Sequence, residues 1–259
     1  NSDDDETTRA INNRAIIYED RGQDKLAIEE YTKAIDLKPE NPLFYSNRAD
    51  CWQRLGNYTK AIADYDMAIE LDKMNPEWYE YRAYCYEEME DYTSALKDYD
   101  KAIDLAPNDP YQYNNRASFY DDIEKYELAL KDYATAIALN SDDDETTRAI
   151  NNRAIIYEAR GEDKLAIEEY TKAIDLKTEN PLYYSNRAKR WRHLGDYTNA
   201  LADFKTAIEL ESDNPRWYEY RADCYEEMED YTSALKDYDK AIDLAPNDPY
   251  QYNNRADFY

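Results

Sequence analysis

The chain has 259 residues, of which 58 are acidic and 32 basic, giving a formal net charge of -26 at pH 7. That balance argues against nucleic acid, whose phosphates are held mainly by cationic groups, and against anionic membrane surfaces. It leaves basic peptides, polyamines, cations or solubility alone as reasons for the charge.

From Thr8 onward the chain repeats itself every 34 residues. The expected units are 8–41, 42–75, 76–109, 110–143, 147–180, 181–214 and 215–248, followed by a partial unit at 249–259. With the first residue of each unit as place 1, place 11 is aromatic from Tyr18 to Tyr259 and place 20 is alanine from Ala27 to Ala234. Place 24 is aromatic (Tyr31, Tyr65, Tyr99, Tyr133, Tyr170, Phe204, Tyr238), and place 27 is alanine throughout. Apolar places recur at three- and four-residue steps on both sides of a short break, which predicts two amphipathic helices of about 12 to 14 residues per unit. All four glycines fall at place 15, where the first helix must end. The nine prolines lie between units, and Pro42, Pro76, Pro110, Pro181, Pro215 and Pro249 suit the first turn of a helix.

This spacing resembles the tetratricopeptide repeat over nearly the whole chain. The resemblance implies an all-α fold, a right-handed superhelical solenoid of antiparallel helix pairs, in which each repeat contacts mainly its neighbours. One place departs from the family's usual pattern. Where leucine and glycine are favoured at places 7 and 8, this chain reads Arg-Ala each time, from Arg14 to Arg255. Place 23 is acidic in every complete unit (Glu30, Asp64, Asp98, Asp132, Glu169, Asp203, Asp237). A guanidinium on a packed face needs a carboxylate, so the pattern predicts an arginine–acid ladder with a structural role.

Cys51, Cys85 and Cys224 all occupy place 10. Equivalent residues of adjacent helices stand about 8–10 Å apart, beyond disulfide reach, so buried free thiols are expected. Unpaired thiols favour a cytoplasmic setting slightly, without excluding an extracellular one. No 18-residue apolar run and no signal-peptide pattern is found, while the start at Asn1 rather than methionine leaves the true beginning open.

A longer period overlies the first. Residues 1–120 match 140–259 at about 100 of 120 places, which predicts a four-repeat module, 1–139, duplicated from residue 140. The last unit stops at Tyr259, leaving Tyr252, Ala256, Phe258 and Tyr259 with half their expected packing, as in a longer array or in end-to-end stacking.

Function is expected on the inner face, which the resemblance assigns to the first helix of each repeat at places 2, 5, 6, 9, 12 and 13. Place 6 reads Asn13, Asn47, Tyr81, Asn115, Asn152, Asn186, Tyr220 and Asn254, and place 5 adds Asn12, Asn114, Asn151 and Asn253. An amide offers both a donor and an acceptor, which matches a peptide backbone without reading its side chains. Glu80, Glu87, Glu88, Asp121 and Asp122 surround that row, as do Glu219, Glu226 and Glu227. Together with Tyr81, Tyr84, Tyr111 and Tyr220 as cation-π platforms, they suggest a groove for a Lys/Arg-rich segment. The cationic set with which family members clamp an acidic chain terminus is missing. The second copy replaces Asp50 with Lys189, Gln53 with Arg192, Arg54 with His193 and Glu77 with Arg216. This local basic patch suggests a register for head-to-tail self-association, or drift on a solvated surface.

Catalysis has little to work with. His193 is the single histidine, and the chain has no glycine-rich phosphate loop and no Cys-x-x-Cys. The run from Ser141 to Glu145 lacks the spacing of a Ca2+ loop and reads as a helix start. Asn57-Tyr58-Thr59 fits a glycosylation acceptor that its counterpart at Asp196 lacks. The sequence therefore predicts no enzyme, no cofactor and no metal. It points to a protein-interaction scaffold with a basic peptide or protein partner, or alternatively to a structural protein stacking end to end into a rod or filament.

Overall fold

The computed structural model describes residues 2–139, 143–177, 179–249 and 255. Among them all regular structure is helical: α1 (Ser2–Asp20), α2 (Asp24–Leu37), α3 (Pro42–Arg54), α4 (Tyr58–Leu71), α5 (Pro76–Glu88), α6 (Tyr92–Leu105) and α7 (Pro110–Asp122). They are followed by α8 (Tyr126–Leu139), α9 (Asp143–Ala159), α10 (Asp163–Leu176), α11 (Pro181–His193), α12 (Tyr197–Leu210), α13 (Pro215–Glu227) and α14 (Tyr231–Leu244). The chain forms two compact units, Asn1–Phe119 and Tyr120–Tyr259. In the first, α1 to α6 pack each on the next; in the second, α8 to α14 do the same.

Local chemistry sets the helix ends. Asn41, Asn75, Asn180 and Asn214 have extended backbones, and their side chains accept the amide two residues on at 3.0–3.1 Å, just before the proline at the first helical position. The second helices use Asn57, Asp91, Asp196 and Asp230, whose side chains accept the amide three residues on at 3.1–3.3 Å. Between paired helices one residue must turn left-handed. Gly22, Gly56, Gly161 and Gly195 do so at φ 68–76°, while Glu90, Glu124 and Glu229 hold the same place at φ 58–60°.

Helix α1 starts two turns earlier than Thr8, and α9 opens at Asp143, so the acids before Thr147 extend a helix. Asn140, Ser141, Asp142 and Thr178 lie outside the described residues, as do 250–254 and 256–259, including Tyr252, Asn253, Asn254, Ala256, Phe258 and Tyr259.

The core is built from small and large residues in alternation. Ala15, Ala27, Ile28 and Tyr31 cluster with Cys51 of the next repeat; Ala49, Ala61 and Tyr65 cluster with Cys85, and Ala188, Ala200 and Phe204 with Cys224. Alanine lets the helices approach, and each fully buried ring contributes on the order of 1.5–3 kcal/mol. The cysteines are free and buried, and burial pushes Cys51 and Cys85 up to about 12 and Cys224 to about 11.

The arginine–acid ladder is present. Arg48, Arg82, Arg187 and Arg221 each make a two-pronged pair with Asp64, Asp98, Asp203 and Asp237 at 2.7–2.8 Å. Arg14 and Arg153 reach Glu30 and Glu169, with Nε–Oε2 at 2.9 Å in both. The free prong of the fork adds a contact to the preceding repeat: Arg48 Nη1 donates to Thr32 at 3.0 Å, and Arg82 and Arg116 reach Asp66 and Asp100 at 2.5 Å. One guanidinium thus ties its own repeat to the one before, which a lysine could not do.

Candidate functional site

The asparagine row sits on the first helices, and its side chains have internal work. Asn152 Nδ2 donates to the Tyr133 hydroxyl of the preceding repeat at 3.3 Å. Its Oδ1 accepts from Asn151 Nδ2 at 3.2 Å, and Asn47 stands near the Tyr31 hydroxyl. Where place 6 is an aromatic residue, ring packing replaces the amide: Tyr81 lies 6.0 Å from Tyr65 and Tyr220 lies 6.2 Å from Phe204. Asn13 is exposed, and Asn12, Asn47, Asn115, Asn151, Asn152 and Asn186 are half-buried.

Place 5 corrects an expectation. Glu80 is 7% exposed and Asn114 0%, with Ser46, Ser185 and Glu219 equally enclosed. In these five repeats the place points between helices rather than outward, whereas Asn12 and Asn151 stay half-buried, and Glu80 accepts from Tyr111 at 3.1 Å. Neither Glu80 nor Asn114 is open to a ligand.

The acids of this face accept hydrogen bonds from buried tyrosines. Glu19 takes the Tyr31 hydroxyl at 2.7 Å, Glu87 takes Tyr99 at 2.9 Å, and Asp223 and Glu226 share Tyr238 at 3.0 Å. Asp50 and Gln53 hold Tyr65, and Glu88 takes Tyr58 at 2.9 Å. Burial raises Asp50 to about 6 against the opposing hydrogen bond from Tyr65, and burial raises Asp121 also. Tyr81 is pushed to about 12, by burial and then by Glu77 and Glu80. Tyr84 is 40% exposed on the same face.

The basic residues of the sixth repeat are engaged by the two neighbouring repeats. Arg192 reaches Asp223 at 2.8 Å and Glu227 at 3.7 Å, and Arg190 reaches Glu158 at 3.0 Å and Asp163 at 3.4 Å. His193 Nδ1 lies 2.7 Å from Asp163, and Lys189 sits over the Tyr220 ring, 4.1 Å from its centroid. Tyr220 is therefore covered by its own cation, and burial lowers the Lys189 pKa. Arg216 is exposed in the first turn of α13.

A cavity of about 540 Å³ opens between α1 and α3, lined by Arg9, Asn12, Ile16, Lys38, Leu43 and Asn47 among others. It brings Asn12 and Asn47 together. A cavity of about 640 Å³ lies instead beside Arg82 and Asp98, with Lys97 and Lys101, off the asparagine row.

Two roles escape the sequence reading: the remaining prong of Arg48, Arg82, Arg116 and Arg187 on the repeat before, and the carboxylate at place 12 as acceptor for the tyrosine at place 24. A signal for the second was present. Phe204 alone lacks the hydroxyl, and its repeat alone carries a cation, Arg192, at place 12. No three metal-ligating side chains converge among the described residues, and none of their helices is long and apolar enough to cross a membrane.

Stacked antiparallel helix pairs of 34 residues, joined by constant packing places and varied on one face, define a helical repeat protein of the interaction-scaffold type. Residues 53–110, 116–181 and 188–249 match the family model described as tetratricopeptide repeat, and residues 17–56 match one described as TPR repeat. The chain belongs to the tetratricopeptide repeat family. No curated protein matches it. Solved structures share the fold. The C-terminal part of a TPR repeat-containing protein from Cytophaga hutchinsonii is 19% identical at TM-score 0.72, covering 93% of this chain and 98% of that one. A tetratricopeptide repeat protein from Parabacteroides merdae is 21% identical at TM-score 0.63, covering 98% and 99%. PilF from Pseudomonas aeruginosa is 17% identical at TM-score 0.65, covering 83% and 97%.

Proposed function

We propose that this chain is a non-enzymatic scaffold whose first-helix face binds an extended, basic peptide or partner segment. The observation that carries the reading is the row of half-exposed amides. Asn47, Asn152 and Asn186 each keep part of their surface exposed, and Asn152 is held in place by the Tyr133 hydroxyl and the Asn151 amide before any ligand arrives. Tyr84 and the carboxylates Glu87 and Glu88 lie on the same face of the first unit and favour cationic side chains. The four-repeat module 1–139, repeated from 140, presents this face twice with different charge, the second copy carrying Lys189, Arg192 and Arg216. Stacking into a rod or filament gains no support from the sixth repeat, whose Arg190, Arg192 and His193 meet acids of the two neighbouring repeats and whose Lys189 sits on Tyr220.

Peptide arrays at physiological salt test the reading. Lys/Arg-rich sequences are expected to bind above neutral and acidic ones, with the difference shrinking as salt rises. Equal signals across the three classes would overturn it.

A further inference from the structure

One sequence occurs in two surroundings. Residues 1–19 recur unchanged as 140–158, so α1 and α9 share one sequence from Thr7 to Glu19 and from Thr146 to Glu158. Each helix packs on the one that follows it, α1 on α2 and α9 on α10, but α9 also packs on α8. The consequence is a stripe at helical spacing. On α9, Thr146 is 3% exposed, Ala149 0% and Ile156 1%, and Arg160 pairs with Glu127 of α8 at 2.7 Å. On α1 the counterparts Thr7, Ala10 and Arg21 are exposed, and Ile17 is 49% exposed. Arg153 and Arg14 follow suit, with side chains 16% and 53% exposed.

We propose that this stripe of α1 is a docking site for an amphipathic helix with the chemistry of α8. The occupant presents a small apolar face to Ala10 and Ile17, a tyrosine hydroxyl to the Asn13 amide, and a carboxylate to Arg21. Each requirement is met on α9, where Tyr133 receives Asn152 and Glu127 meets Arg160. This face shares only Asn13 with the peptide-binding row, and Ile17 and Arg21 lie outside that row, so variants at those two residues test it apart from the proposed function.

The test uses the full chain and a fluorescein-labelled, side-chain-stapled peptide of Tyr126–Leu139, because an unstapled helix of that length is marginal in water. Fluorescence anisotropy is expected to show saturable binding, weakened by roughly tenfold or more in the Ile17→Asp chain. Ile17 is half-exposed, so that variant should keep its circular dichroism and melting temperature. A Glu127→Arg peptide should bind poorly to the parent chain and regain binding to the Arg21→Glu chain. Self-association that Ile17→Asp abolishes would support the site and name a second copy as the source of the helix. No saturation up to about 1 mM peptide, or binding indifferent to Ile17→Asp, overturns the proposal.

Discussion

Arg82 shows how a single side chain holds this fold. Its fork pairs with Asp98, 5% exposed, and its remaining prong reaches Asp66 of the repeat before. Truncation to leucine leaves the Asp98 carboxylate enclosed without its counter-charge, which costs about 3 kcal/mol. Urea denaturation of Arg82→Leu is expected to show that loss, with much of it recovered in Arg82→Leu/Asp98→Leu; an unchanged midpoint would contradict the role. Asp50 gives a pH signature of opposite sense to an ion-paired acid. Burial raises its folded pKa to about 6, above an unfolded value of about 3.9. Between those values the folded chain holds a proton that the unfolded chain has released. The contribution of this group to stability therefore falls as pH rises across the window. Asp50→Asn should flatten the stability profile between pH 4 and 6 relative to the parent and add about 3 kcal/mol at pH 7. An Asn variant tracking the parent at every pH would refute this assignment.

At the scale of the element, the turn between paired helices carries measurable strain. Place 15 is left-handed in every complete repeat, yet Glu90, Glu124 and Glu229 fill it where four glycines do so elsewhere. Glu90→Gly removes the steric penalty of a side chain there, and thermal denaturation should show a gain of about 0.5–1 kcal/mol. A loss of that size would mean that Glu90 makes a compensating contact. Much of this level was legible in the sequence. Prolines announced the helix starts, glycines the turns, and Arg with an acid sixteen residues on the ladder. What the sequence concealed was direction. Place 5 and place 6 are adjacent, but a helix turns about 100° per residue, so Glu80 faces the packed interior while Tyr81 lies nearer the surface. The tyrosine–carboxylate pairing at places 24 and 12 was hidden because an acid on a polar face looks the same whether it meets water or a hydroxyl.

Across the molecule, a charge of -26 coexists with a dense internal network of ion pairs. Acids at place 12 serve tyrosines and those at place 23 serve arginines, so the charge available to a partner is smaller than the formula suggests. The first-helix face is accordingly a mixed surface of amides, tyrosines and partly engaged carboxylates. On such a surface a basic peptide gains modest, salt-sensitive attraction together with backbone hydrogen bonds from the asparagines. Isothermal titration of the strongest Lys/Arg-rich array peptide tests this most directly, using the parent chain, Asn13→Ala/Asn47→Ala, and Lys101→Ala on the second-helix side. The account predicts that the double amide variant weakens binding about tenfold while Lys101→Ala leaves it unchanged. Equal affinity of the parent and Asn13→Ala/Asn47→Ala would contradict it.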